Sequence, residues 1–531
     1  MNELEKLGKN LFWDEKTGLM LEYDGMDMDE KYLKERLPEI DRAISAMEKL
    51  EAGAIANVDE DRMVGHYWLR APELAPDEGL KQEILDAQAQ VKEFADQVLE
   101  GKVLSQGGKK FKNAMGAGMG GSSLGPAFIY DALHLGAEGL KLYFLDNTDP
   151  EGMDSIFCQV EEELDETLLV VISKSGGTVE TRNSMLEAED FYKARGLNPG
   201  SHQVFVTGVG SKLEEYGRQQ NALGIFPMWD WVGGRTSVMS AVGLLPLRLA
   251  GIDTDSLLRG AADCDVLGRN RELRRNPAAI LAQGWYRASG GQGGTSMVIL
   301  PYKDSLVLFG KYLQQLVMES LGKEFDRDGR KVNQGLAVFG NKGSADQHSY
   351  VQQLVAGPGN VFTTFIQVLR DRPGACESLK VGEDSTSGDY LNAFMLGTKK
   401  ALEDHGKLTM TLTVADDTAY SIGALIALYE RAVGIYAEFI NINAYHQPAV
   451  EFGKKAAGSL IELKNRVYGF LEEAGFGSEY TAVELASATS AQDQAADLFR
   501  VLLHLAANDP TVQMEPAENL VESRFCLVKG Q

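Results

Sequence analysis

Basic residues are outnumbered in this chain of 531: Lys and Arg total 52 against 77 Asp and Glu, for a net charge of −25. An acidic surface repels polyanions, which excludes nucleic acid and anionic membranes as partners. A site for an anionic substrate must then supply its own local positive charge and amide donors. Long apolar runs are also missing. No stretch reaches the roughly 18 uninterrupted apolar residues of a membrane span; the nearest, Tyr420 to Ile442, carries Glu430, Arg431 and Glu438 and reads as a buried core helix. The first residues, MNELEKLGKNLFWDEKTG, are charged every few positions and lack the apolar centre of a secretory signal, so a cytoplasmic protein is expected. Cysteine is rare. Cys158, Cys264, Cys376 and Cys526 lie far apart with no CxxC pair, and are expected to be buried free thiols in a reducing compartment. Histidine numbers only seven, with no HxH, HxxE or CxxC cluster, which excludes a metal-dependent isomerase of cupin type. Proline is low at 15 while 44% of residues are hydrophobic, which argues against long disordered tails.

What is present is an alternation of short apolar runs and helical patterns. Lys31–Leu50 and Leu80–Leu99 show the three- and four-residue apolar spacing of amphipathic helices, so the first hundred or so residues look helical. From there, Leu140–Asn147, Thr167–Gly177 and His202–Gly210 read as buried parallel strands, each followed by a loop. A second series begins near residue 290, with strands expected at Thr295–Tyr302, Leu336–Gly343, Asn360–Leu369 and Leu408–Asp416. Helical patterns at Ser305–Leu321, Asp389–Asp404 and Thr418–Ile440 separate them, and the tail is helical around Ala491–Ala507. Strand–helix alternation predicts an α/β fold with two tandem doubly wound, mainly parallel sheets, too long for a single ordinary core.

The most informative segment is VVISKSGGTVETR, Val170–Arg182. A buried strand runs into Ser173-Lys174-Ser175-Gly176-Gly177-Thr178, and a helix follows. Hydroxyls and glycine-exposed amides at a helix N-terminus suit a phosphate dianion, because free N–H groups and the positive end of the helix dipole face it. The bland alternative is a Ser/Gly turn with a capping threonine. The loop lacks the nucleotide pattern GxxxxGK[ST], so ATP is not implied. A second turn, Gly118 to Gly125, nearly meets GxGxxG through Gly116, Gly118 and Gly121, too weakly to imply NAD.

With further segments added, the sequence resembles the glucose-6-phosphate isomerase family. GMGGSSLGP (118–126), SKSGGTVET (173–181), WDWVGGRTSVMSAVGL (229–244), QQLVMESLGK (314–323), SADQHSYVQQL (344–354) and HQPAVEFGKK (446–455) are similar to that family's motifs and follow its order. The resemblance implies two sugar-isomerase (SIS) domains, 106–285 and 286–477, flanked by an N-terminal helical region, 1–105, and a C-terminal helical tail, 478–531. It implies interconversion of glucose 6-phosphate and fructose 6-phosphate without cofactor or metal, in a homodimer with shared active sites. Ser173, Ser175 and Thr178, with Lys174, Gly121, Ser122 and nearby amides, would hold the phosphate. Glu319 would be the base between C2 and C1, and Arg235 would stabilise the cis-enediolate. His348, reaching the site from the neighbouring subunit, and Lys454 would assist ring opening, while Gln315 and Gln447 would line the sugar pocket. His446 has no assigned part, and His66, His134, His202, His405 and His504 fall in no motif.

These roles suit the chemistry. One carboxylate can serve both carbons of an enediol if its pKa lies near the working pH, and a guanidinium lowers the energy of the oxyanion. Taken alone, Glu319 reads first as a solvated helix-end glutamate, as most glutamates do, and Arg235 can be read as a helix-capping arginine and Lys454 as a surface lysine. Other functions stay open. A bifunctional phosphoglucose/phosphomannose isomerase shares these motifs. The isomerase half of a hexosamine synthase would need an N-terminal cysteine nucleophile, and none occurs before Cys158. A non-catalytic sugar-phosphate-binding regulator would need a basic DNA-binding helix, and no such helix stands out.

Overall fold

The expected alternation is realised as two parallel sheets in a computed structural model that describes residues 2–372 and 378–529. The first sheet has the order Lys141–Leu145, Asn113–Gly118, Thr167–Ser173, Gln203–Gly208, Gly224–Met228, all parallel. Its central strand, Thr167–Ser173, is buried throughout. Val170 and Ile172 pack into one core cluster while Leu169 and Val171 pack into another, so helices cover both faces. The second sheet joins Thr295–Pro301, Leu336–Phe339, Val361–Val368 and Leu408–Val414 in parallel.

Several segments depart from the sequence reading. The N-terminal region is helical at Glu30–Glu51 and Glu78–Glu100, but Leu11–Asp14 and Leu19–Glu22 form a hairpin that extends the second sheet antiparallel to Leu408–Val414. Leu19 and Leu21 face the core while Met20 and Glu22 are partly exposed, a period-two signal only four residues long. The helix expected over Ser305–Leu321 is three pieces: a 3-10 turn at Asp304–Leu306, an α-helix at Phe309–Leu313 and a π-helical turn at Gln314–Glu319. Cys264 and Cys526 are buried, but Cys158 is exposed because its neighbour Phe157 takes the inward position on that helix; Cys376 lies outside the described residues. No helix among the described residues is long and apolar enough to cross a membrane.

The chain divides into two compact units, Met1–His446 and Gln447–Gln531. The second unit contains the helices Val450–Ala474, Ala482–Ala488 and Ala495–Asn508 and a small antiparallel sheet, with its own core of Leu463, Val467, Leu485, Leu502 and Phe525.

The helix expected from Tyr420 to Ile442 is Ala419–Phe439, buried along most of its length. Its two inward charges have partners. Arg70 Nε donates to Asp265 at 2.6 Å and Arg431 Nε donates to the same carboxylate at 2.9 Å, while Arg70 also bonds Glu430 and Arg431 bonds Glu51. Burial alone would raise Asp265, but Arg431 and Arg70 outweigh it and hold its carboxyl well below the usual range. At Glu430 burial wins over Arg70 and pushes the carboxyl up to about 7. Asp265→Asn leaves two buried guanidiniums without their shared partner, at an expected cost of about 3–5 kcal/mol. Because its folded pKa is depressed, the contribution of Asp265 is present above about pH 4 and fades as pH falls below it. Urea titrations at pH 7 and in acid test this: the variant's deficit should shrink in acid, and a deficit below about 1 kcal/mol at pH 7 would contradict the assignment.

Candidate active site

In the first sheet the chain reverses direction at the strand Asn113–Gly118, which lies between Lys141–Leu145 and Thr167–Ser173. The loops leaving its carboxyl end and that of Thr167–Ser173 therefore part to opposite faces and open a crevice, the usual ligand site in such sheets. Gly118 pairs with Ile172, so the two glycine-rich loops start side by side. Thr178 occupies the N-cap of the helix Val179–Ala194, yet its side chain makes no capping bond. Its hydroxyl instead accepts from Ser173 Oγ at 3.3 Å, which weighs against the plain capping turn. Ser175 Oγ accepts from the Gly177 amide at 3.1 Å. Lys174 donates to the carbonyl of Val232 at 3.1 Å and ties this loop to the WDWVGGR segment; burial lowers its pKa, with Arg62 adding to the effect.

Arg235 follows on a single 3-10 turn, Gly234–Thr236. The first loop presses directly on it. A Cβ on Gly121 would lie 1.8 Å from the carbonyl oxygen of Gly234, so only glycine permits the approach. Ser122 is half-buried on the same turn as Gly121. Arg235 is 6% exposed and is held by the Ala444 carbonyl at 2.7 Å and the His446 carbonyl at 3.4 Å. Its Nε stands 3.4 Å from Glu319 Oε2. Burial pulls the guanidinium pKa down and Glu319 pulls it up.

Glu319 closes the π-helical turn that also carries Gln315. Such turns insert an extra residue into a helix and occur disproportionately at functional sites. Gln315 Nε2 lies 2.9 Å from where a Cβ on Gly120 would be, so the π turn meets the first loop. Glu319 Oε2 is buried and accepts no hydrogen bond among the described residues. Lys323 was not singled out from the sequence, because its burial comes from tertiary packing. Its Nζ donates to the carbonyls of Glu319 and Ser320, each at 2.8 Å, and fastens the end of the π turn. Burial, reinforced by Arg235 and opposed by Glu319, pushes its ammonium down to about 7.

The remaining residues stand differently. His348 ends the 3-10 turn Ala345–His348, is exposed, and has no side-chain bond or ring contact with any described residue. Asp346 pins that turn by accepting from the Asn341 amide at 2.9 Å. His446 is partly buried, 3.5 Å from Asp59, and burial lowers its pKa. In the second unit, Gln447 is exposed and its carbonyl accepts the Val450 amide, while Lys454 is exposed on the helix Val450–Ala474 and pairs with Glu451 at 3.0 Å. Among the described residues no group of three or more His, Cys, Asp or Glu is placed to hold a metal ion.

A switch-point crevice on an open parallel sheet marks the chain as an α/β protein with a ligand site at the carboxyl ends of its strands. Comparison with known proteins narrows the class. Residues 26–468 match the phosphoglucose isomerase family. The glucose-6-phosphate isomerase of Geobacter sulfurreducens is 52% identical over 517 residues, covering 97% of each chain. That of Desulfitobacterium hafniense strain Y51 is 50% identical over 516 residues, covering 97% of this chain and 96% of its own. The crystal structure of a glucose-6-phosphate isomerase from Chlamydia trachomatis superposes with a TM-score of 0.77 at 26% identity, covering 87% of this chain and 91% of that one. The chain belongs to the phosphoglucose isomerase family.

The packing of Gly121 generates a paired prediction. Gly121→Ala should displace the Arg235 turn and lower kcat/KM at least about tenfold, since a misplacement of about 1 Å can cost about a hundredfold. A Cβ on Gly234 meets nothing within 4 Å, so Gly234→Ala should stay near wild type. Equal activities for the two variants would contradict this geometry. Lys323→Met should abolish a titration near pH 7 in the kcat profile and lower kcat by roughly tenfold; a profile that keeps that limb would assign it to another group.

Proposed function

We propose that the protein catalyses the reversible isomerisation of D-glucose 6-phosphate to D-fructose 6-phosphate, a step of glycolysis and gluconeogenesis, in the cytoplasm. The observation that carries this reading is the buried Glu319 oxygen, without a hydrogen-bond donor among the described residues and 3.4 Å from a buried guanidinium, on a turn that touches the first glycine loop. A carboxylate so placed is a base with an oxyanion partner beside it.

In this mechanism the phosphate rests on Ser173, Ser175, Thr178 and Ser122, near the positive end of the helix Val179–Ala194, with Gly121 and Lys174 shaping the loops. Gln315 contacts sugar hydroxyls. His348 donates a proton to the ring oxygen as the anomeric hydroxyl gives up its proton, giving the open chain. Glu319 takes the proton from C2, and the electron pair moves to the carbonyl oxygen as a cis-enediolate beside Arg235. Glu319 then returns the proton to C1, and proton transfer between the oxygens leaves the ketose. No electrons are gained or lost overall. The exposure of His348, with no partner among the described residues of its own chain, supports a homodimer in which it completes the neighbouring subunit's site.

Glu319→Gln should lower kcat by at least about 10²–10⁴-fold with sugar-phosphate affinity nearly unchanged. Activity within about tenfold of wild type, in an assay coupled to glucose 6-phosphate oxidation, would remove Glu319 from the role. For the shared site, inactive Glu319→Gln and His348→Ala chains are unfolded and refolded together. Random pairing makes about half the dimers mixed, each with one intact site, so about a quarter of wild-type activity should return. No recovery, with hybrids seen by native mass spectrometry, would place both residues in one subunit's site.

A further inference from the structure

The outer face of the first sheet holds a cavity that backs onto the proposed phosphate loop. Its volume is about 280 Å³, and it lies between the helices Val179–Ala194 and Lys212–Gln219, behind the loop 173–178. Its floor is apolar, formed by Val171, Met185 and Leu213. Thr181 also lines it, on a residue only 2% exposed, and its hydroxyl has no hydrogen-bond partner among the described residues. A helical threonine ordinarily donates to the carbonyl of the preceding turn, and a buried hydroxyl without a partner is costly. At the rim stand Arg182 and Lys212, both exposed and neither ion-paired with a described residue. Their neighbours on the same two helices are paired: Lys193 with Glu189 and Arg218 with Glu214. Two such cations over an apolar slot stand out in a chain of net charge −25.

We propose that this cavity binds a small amphiphilic carboxylate, an aryl or branched-alkyl monoanion. The apolar body lies on the floor and the carboxylate sits between Arg182 and Lys212. The volume falls below the range of about 300–1,000 Å³ usual for drug-sized ligands, so the occupant is small. Inorganic phosphate would leave the apolar floor without a partner. The cavity also touches the phosphate loop. Gly176 has φ +66°, and a Cβ there would lie 2.8 Å from Leu213 Cβ; Ser173 and Thr178 line the cavity as well. An occupant that moves Leu213 presses on this loop and adds negative charge behind it. Resting on the proposed sugar-phosphate site, occupancy therefore weakens substrate binding, and by linkage the substrate weakens the occupant.

Benzoate is the probe, with benzamide as its uncharged counterpart, against full-length protein carrying 13C-labelled Met and Leu methyl groups. Benzoate should shift the Met185 and Leu213 methyl resonances saturably, benzamide should bind at least about tenfold more weakly, and Arg182→Gln/Lys212→Gln should lose about tenfold in benzoate affinity. Saturating benzoate should raise KM about fivefold to a plateau with kcat unchanged. No methyl shift, equal affinity in the double variant, or complete one-for-one displacement by inorganic phosphate would overturn the proposal. The methyl shifts report occupancy of the cavity whether or not the protein isomerises sugar phosphates, so failure of the isomerase assay and failure of the cavity to bind are read separately.

Discussion

Arg235 carries a full charge at 6% exposure, and that charge has to be met inside the protein before the site can exist. Backbone carbonyls of Ala444 and His446 meet part of it from one side, and Glu319 meets it from the other. The carbonyls fix where the guanidinium lies. Glu319 is left with an oxygen that balances the charge but accepts no hydrogen bond among the described residues, which leaves it open to whatever enters beside it.

The surroundings serve this pair. The bare backbone at Gly121 lets the first glycine loop lie on Gly234, which fixes the Arg235 turn against the strand switch point. The π-helical turn carries Glu319 and Gln315 together, and Lys323 ties its last carbonyls. Lys323 and Arg235 bracket Glu319 with positive charge, and burial brings the lysine down to about 7. The field at the carboxylate therefore changes within the range where a base of this kind works. Farther from the site, Asp265 with Arg70 and Arg431 welds the helix Ala419–Phe439 to the segments around it.

Much of this is legible in the sequence, for identifiable reasons. Buried parallel strands such as Thr167–Ser173 are continuous apolar runs, and the hydroxyls and glycines after it announce an anion loop. The strand Gly224–Met228 escapes because glycine, proline and alternating burial break its apolar run. The hairpin at Leu11–Glu22 escapes because four-residue strands among charged residues carry too little periodicity. Apolar spacing over Ser305–Leu321 is compatible with several helical windings, so the π turn cannot be read from it. The positions of Arg235 and Glu319 come from ordered motifs, whereas Lys323, in the same motif, looks like any surface lysine until the fold buries it.

The central claim is that one carboxylate, Glu319, carries the proton between the two carbons. Hydrogen exchange tests it directly: glucose 6-phosphate is incubated in D2O with wild type and with Glu319→Gln, and deuterium at C2 of the aldose and C1 of the ketose is followed by NMR. The account predicts that isomerisation and solvent exchange disappear together in the variant while a non-reacting sugar-alcohol phosphate still binds. Exchange continuing at the wild-type rate in Glu319→Gln would show that another group takes the proton.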